Sequence, residues 1–205
     1  MMFIRAFVFF LGVLATLLLG WVGIVGVPDI MLMKVEPPPG LERYTAQQLF
    51  GRSIYIREGC LYCHSQQPRP VGFGADQERF WGRPAVPADY VYDKPHLLGT
   101  MRTGPDLFNI AVRQPSEDWH LLHLYNPRLV VEQSLMPPYP WLFEEKRTPG
   151  PNEKALVLPD SIAPTNRVVV PTAEGNALVA YLLSLNHTYP VSQVPIHDDT
   201  ARSKR

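Results

Sequence analysis

The 205-residue sequence contains only two cysteines, Cys60 and Cys63. A fold stapled by disulfides is therefore excluded, and the compartment must be read from elsewhere. Net charge is also missing, because 19 Lys and Arg balance 19 Asp and Glu. A chain whose main partner is nucleic acid needs surplus cations for phosphates, so that class is set aside. There is no internal repeat and no convincing set of alternating segments for strands. Long regular helices cannot fill the chain either, because its 22 prolines are roughly double the average usage. Nine Phe, nine Tyr and four Trp are enough to build a core. The length fits one domain plus extra segments.

One absence is local. From Ala6 to Val27 no residue carries a charge. At about 1.5 Å per residue this run spans roughly 33 Å as a helix, enough for a hydrocarbon core. A cleaved signal peptide has a shorter apolar region, about 7–15 residues, and an A-x-A-like exit. Here the exit reads Gly26-Val27-Pro28-Asp29, so an uncleaved transmembrane helix is expected. Arg5 precedes the run, while Asp29, Lys34 and Glu36 follow it. The positive-inside rule then puts the N-terminus in the cytoplasm and the rest outside.

The expected organisation is an anchor and exit over 1–35, one domain over 36–190, and a polar, disordered tail over 191–205. VEPPPG (35–40) reads as a stiff extended spacer. Thr45-Ala-Gln-Gln48 has the form of a capping box and opens a helix to about Gly59. A second helix is expected over about 116–124, with Ser116 as N-cap and Glu117 and Asp118 in its first turn. A third runs over about 173–185 after Thr172. Residues 65–103 and 127–171 read as loops broken by proline. The fold class is mainly α.

Cys60-Leu61-Tyr62-Cys63-His64 is a C-x-x-C-H motif, the signature of c-type haem attachment. Two thiols on one helical turn reach the two vinyl groups of one porphyrin, and the adjacent His ligates the iron. The rival readings are weaker. Zinc wants about four ligands, usually with a second closely spaced Cys or His pair, and beyond this motif His120 and His123 are the one such pair. A thioredoxin-like pair expects a βαβ context that is absent. Haem c is attached outside the cytoplasm, which agrees with the anchor's direction.

An electron carrier is normally six-coordinate, and a Met thioether raises the potential relative to a second His. Of six Met residues only Met101 and Met136 lie beyond the anchor region. Met136 sits in Ser134-Leu-Met-Pro-Pro-Tyr-Pro-Trp141, where prolines restrict the backbone, and it is the favoured sixth ligand. In Gly104-Pro105-Asp106-Leu107 the Pro105 carbonyl is expected to accept a hydrogen bond from the axial imidazole, as in class I cytochromes c. Arg69, Arg102 and Arg113 are candidates to neutralise haem propionates. His120 and His123 share one helix face; a packed interface or a propionate hydrogen bond is favoured over a metal pair or a haem ligand. Trp119, Tyr139 and Trp141 read as core or pocket packing.

Several segments in series carry a resemblance: Gly51–Gly59, the haem motif with His64-Ser-Gln66, Arg69-Pro70, Tyr90-Val-Tyr-Asp93 with Pro95, Arg102–Leu107, Trp119–His123, Asn126-Pro-Arg128 and Met136–Leu142. Together they resemble the membrane-anchored monohaem cytochrome c subunit (subunit II) of cbb-type haem–copper cytochrome c oxidases, over roughly 1–142 plus the terminal helix. The resemblance implies a class I-like cytochrome c domain on the periplasmic face of a bacterial inner membrane. It implies one covalent haem c on Cys60 and Cys63, with His64 and Met136 as axial ligands. The subunit would do no bond chemistry itself. It would pass single electrons from a donor cytochrome c to haem b of the catalytic subunit, which reduces dioxygen. Some members carry a calcium near the subunit interface, for which the Gly99–Thr100 loop is a candidate carbonyl donor. Residues 71–87 depart from the usual spacing, and the proline-rich stretch 143–171 reads as an insertion. Three alternatives stay open: the cytochrome subunit of a nitric oxide reductase, a free anchored shuttle, and a sensor or peroxidase with an open sixth site.

Overall fold

The computed structural model describes residues 2–191; the tail expected to be disordered lies, apart from Val191, outside them. The first element is a long apolar rod. Helix α1 (Met2–Trp21) runs into a π turn (Val22–Gly26) and then helix α2 (Val27–Leu32). The 30 residues Phe3–Leu32 are long and apolar enough to cross a membrane, and among the described residues nothing buries their most apolar stretch. The rod continues past Val27, where the charge-free run ends. Inside an α-helix a proline loses one hydrogen bond and collides with the carbonyl four residues back. The wider π turn ends just before it, so Pro28 falls in the first turn of a new α segment. Beyond the rod, the chain is extended through Pro38 and then turns, with Leu41 N–H bonded to the Pro38 carbonyl. The spacer is thus not extended throughout: Gly40, at φ +97°, lays the chain against Tyr189.

The domain is built on two crossed helices. Helix α3 (Ala46–Arg57) starts at the expected capping box: Gln48 N–H donates to Thr45 Oγ1 at 3.2 Å and Thr45 N–H to Gln48 Oε1 at 2.8 Å. Helix α6 (Ala173–Leu182) is capped by Thr172, whose hydroxyl accepts from Gly175 N–H. The two cross where Gly51 meets Ala177. A Cβ on Gly51 would lie 1.8 Å from the Ala177 carbonyl oxygen, so only glycine allows this backbone approach. Ile54, Tyr55, Leu178, Tyr181 and Leu185 form the buried centre of that crossing. Helix α4 (Ile110–Arg113) is one turn; helix α5 (Glu117–Tyr125), capped by Ser116, adds Leu121 and Leu124 to the same core.

The reading of 143–171 as loop is corrected. Strand β1 (Phe143–Lys146) pairs antiparallel with β2 (Val168–Pro171), Phe143 opposite Pro171 and Lys146 opposite Val168. Four residues are too few to show alternation, and FEEK is polar on its exposed positions, so no periodic signal exists. The pair buries Phe143, Val169 and Val170 and delivers Thr172 to the start of α6. The rest of the domain is mainly helical, as expected.

The segment 65–103 has no long element; local turns satisfy many of its backbone groups, and buried carboxylates accept from the Gln67, Arg69 and Val86 amides and tie in side chains. Asp76 accepts from Arg69 N–H and from both terminal nitrogens of Arg102. Asp106 accepts from Ser65 Oγ and Gln67 N–H, and Asp89 from Arg83. All three aspartates are buried.

Candidate functional site

Gly59, at φ +75°, ends the helical run in the left-handed conformation that glycine adopts at no steric cost. The chain then makes a single 3₁₀ turn, Cys60–Tyr62, closed by Cys63 N–H to the Cys60 carbonyl at 3.1 Å. In such a turn residues three apart eclipse, so Cys60 and Cys63 share one side of it. Both thiols are free; Cys60 is half-buried and Cys63 exposed. Burial pushes the Cys60 thiol up to about 12. A redox-active pair of the thioredoxin kind is held low instead, so this sulfur is not a poised thiolate.

The next residue is held from below. Segment 104–107 is stitched to 63–65 by Gly104 N–H to the Cys63 carbonyl (2.9 Å) and Leu107 N–H to the Ser65 carbonyl (2.8 Å). That pairing sets the Pro105 carbonyl 2.7 Å from His64 Nδ1. A carbonyl only accepts, so Nδ1 carries the proton and Nε2 keeps the lone pair. Burial lowers the pKa of the ring, which stays neutral. Gly104 floors the imidazole: a Cβ there would lie 2.3 Å from His64 Cε1. The Gly99 turn, at φ +67°, lies against the same backbone, where a Cβ would sit 3.0 Å from the His64 carbonyl oxygen.

Met136 approaches from the loop after α5. Arg128 holds that loop, one terminal nitrogen donating to the carbonyls of Ser134 (2.9 Å) and Met136 (3.2 Å). Tyr139 N–H returns to the Leu124 carbonyl at 2.9 Å. Cys60, Cys63, His64, Pro105 and Met136 all line one cavity of about 520 Å³, a size typical of cofactor sites. Met101 does not line it and is exposed.

The three arginines separate. Arg102 is outside the cavity lining and spends its guanidinium on Asp76, Ser65 and the Gln67 carbonyl. Arg69 is exposed. Arg113 lines the cavity, donates one terminal nitrogen to the Asp106 carbonyl, and leaves a buried Nε with no partner. The two histidines of α5 separate as well. His120 is buried, with Nε2 2.8 Å from the Gln114 carbonyl. His123 is stacked on Trp119, ring centroids 4.7 Å apart, and its buried Nδ1 has no partner. Trp119 and Tyr139 line the cavity. Trp141 is largely exposed and donates to Glu58. The sequence places Gly104 in the G-P-x-L segment and Arg128 in Asn126-Pro-Arg128 but gives neither a role; the glycine before the proline was the available signal for the first.

Among the described residues no three His, Cys, Asp or Glu side chains converge as a metal site. The cavity suits a haem better than a bare ion. It offers two thiols on one turn, an imidazole with a free Nε2 lone pair, a thioether, apolar walls, and two buried nitrogens without partners where acidic groups would be met. No curated protein matches the chain. Residues 2–156 match the family model described as cytochrome c oxidase, mono-heme subunit/FixO, a match that takes in 71–87 and the first part of the proline-rich stretch, and the chain belongs to that family.

Proposed function

We propose that this chain is the electron-relay subunit of a haem–copper oxidase, taking single electrons from a donor cytochrome c and delivering them to the catalytic subunit. The observation that carries the reading is the shared cavity of the C-x-x-C-H turn, the Pro105-bound His64 and Met136, in a chain of the oxidase mono-haem subunit family. Haem c, when bound, supplies a one-electron ferrous–ferric couple.

The residues divide the work of holding it. Cys60 and Cys63 would tether the group through thioethers. His64 would offer Nε2 to the iron, and Pro105 fixes its tautomer, which would make it a stronger donor. Met136 would offer its sulfur to the iron, and Arg128 fixes the loop that carries it. Arg113 brings a cation to the carboxylate edge. Arg102, with Asp76, braces the loops behind the motif rather than touching the group. The apolar rod Phe3–Leu32 anchors the domain in the bacterial inner membrane, N-terminus in the cytoplasm and haem domain in the periplasm.

The test is extraction from the native membrane in mild detergent, followed by reduced-minus-oxidised spectra and mass identification of the large subunit. A c-type band together with b-type haem and a copper-containing, oxygen-consuming partner is expected. A partner with non-haem iron that consumes nitric oxide, or a c-type band in a small free particle, overturns the assignment.

A further inference from the structure

A buried polar atom without a partner costs free energy, and native proteins contain few of them. Among the described residues three such side-chain atoms occur, and two of them, Arg113 Nε and His123 Nδ1, belong to residues lining the same cavity. His123 cannot easily turn away. Its ring lies nearly parallel to Trp119, 8° between planes. Its neighbour one turn back, His120, faces the same cavity but spends Nε2 on the Gln114 carbonyl. The helix thus presents one satisfied and one waiting imidazole.

A porphyrin carries two carboxylates and is otherwise apolar at its rim. Waiting donors beside its cavity therefore match that edge and no other part of it. We propose that His123 is a haem-binding residue, donating its Nδ1 proton to a propionate carboxylate alongside the Arg113 Nε–H. This rests on the haem reading above. Burial drives the His123 pKa down to about 4, so the ring enters the contact neutral, as an N–H donor whose Nε2 keeps the lone pair. The titratable groups acting on it are His64 from the motif and His120 from its own helix, and Arg113, Cys60, Cys63, Tyr55 and Tyr139 line the same cavity.

The experiment uses the full-length protein within its purified complex, with haem ¹³C-labelled at the propionate carboxyls. Reduced-minus-oxidised infrared spectra of His123→Phe, which keeps a flat ring over Trp119 but no donor, are expected to shift the labelled carboxylate bands. His123→Gln, which restores an amide N–H, brings them part of the way back. In the unsubstituted ferrous protein, ¹⁵N NMR is expected to show a slowly exchanging His123 Nδ1 proton. Unmoved carboxylate bands in His123→Phe with an intact c-type spectrum, or a fast-exchanging Nδ1 proton, overturn the proposal and leave a water as its partner. Absence of any c-type band in the unsubstituted protein would instead overturn the haem reading itself.

Discussion

The Gly104→Ala substitution tests the floor of the site. Gly104 has no left-handed backbone, so alanine is conformationally allowed, and any effect comes from the added methyl. That methyl would lie 2.3 Å from His64 Cε1 and 2.8 Å from both ring nitrogens. Ordinary contact starts near 3.4 Å, so ring or backbone must give by 3.4 − 2.3 = 1.1 Å. The Nδ1–Pro105 bond is 2.7 Å long and ceases to be one near 3.5 Å, a slack of about 0.8 Å. The displacement exceeds the slack, so the bond is lost or badly misaligned whichever side moves. Overpacking of this kind costs about 1–3 kcal/mol, and the bond contributes about 0.5–1.5 kcal/mol. The redox consequence has a sign. An imidazole donating Nδ1–H to a carbonyl is a stronger ligand and favours ferric iron. Its loss raises the midpoint potential by at most about 20–60 mV, if the whole bond energy belongs to the ferric state, since about 1.4 kcal/mol is 59 mV for one electron. Redox titration of the haem band beside unsubstituted protein reads this directly. An unchanged or lowered potential in a Gly104→Ala protein with normal haem content would refute the argument.

Other substitutions probe separate parts. Gly51→Ala drives a methyl into the Ala177 carbonyl, where backbone must move; a loss of about 3 kcal/mol or more is expected, read as a Tm lower by roughly 6–12 °C. Met136→Ala should abolish the sulfur-to-iron charge-transfer band of the ferric protein, Arg128→Ala should weaken it by loosening the loop, and Met101→Ala should leave it unchanged. Burial lowers the pKa of His187, which is neutral against the Phe108 carbonyl at 2.6 Å. Its contribution is therefore full above the unfolded value near 6.5 and is lost as pH falls below it, by up to about 1.4 kcal/mol per pH unit. Denaturant titrations of His187→Gln and the parent should diverge only below that pH; parallel pH profiles would remove His187 as the cause.

What was legible in the sequence had short-range causes. Caps at Thr45, Ser116 and Thr172 fix helix starts through bonds three residues away, so α3, α5 and α6 begin where their side chains say. The apolar rod and the C-x-x-C-H turn are likewise local. What stayed hidden depends on partners far along the chain. The β1–β2 pair joins residues 22 to 28 apart and has no periodicity of its own. Arg102 read as a candidate for the cofactor because nothing nearby in sequence shows Asp76, 26 residues away, claiming it. His120 and His123 look alike as letters on one helix face, and only the Gln114 carbonyl and the Trp119 ring tell them apart.

The same contrast explains how a domain with so little regular structure can hold a rigid site. The proposed ligation would need His64 and Met136 fixed to a fraction of an ångström, yet both sit on loops. Each loop is anchored by charge-assisted bonds to backbone: Asp106 accepts from Gln67 and Phe108 N–H, and Arg128 donates to the Ser134 and Met136 carbonyls. Such bonds are roughly twice as strong as neutral ones and carry their own geometry. Buried aspartates therefore take the place that strands fill in other folds. Their cost is desolvation, visible in the raised pKa of Asp106 and Asp93, and it is offset by the donors around each carboxylate. Replacing Asp106 by an apolar residue of similar size should then be more damaging than burial alone suggests, because it strands the Gln67 and Phe108 amides and the Ser65 hydroxyl together. Asp106→Asn, which keeps one carbonyl acceptor, should retain part of the stability lost in Asp106→Leu when both are compared by thermal unfolding; equal losses would show that the donors are satisfied by water instead.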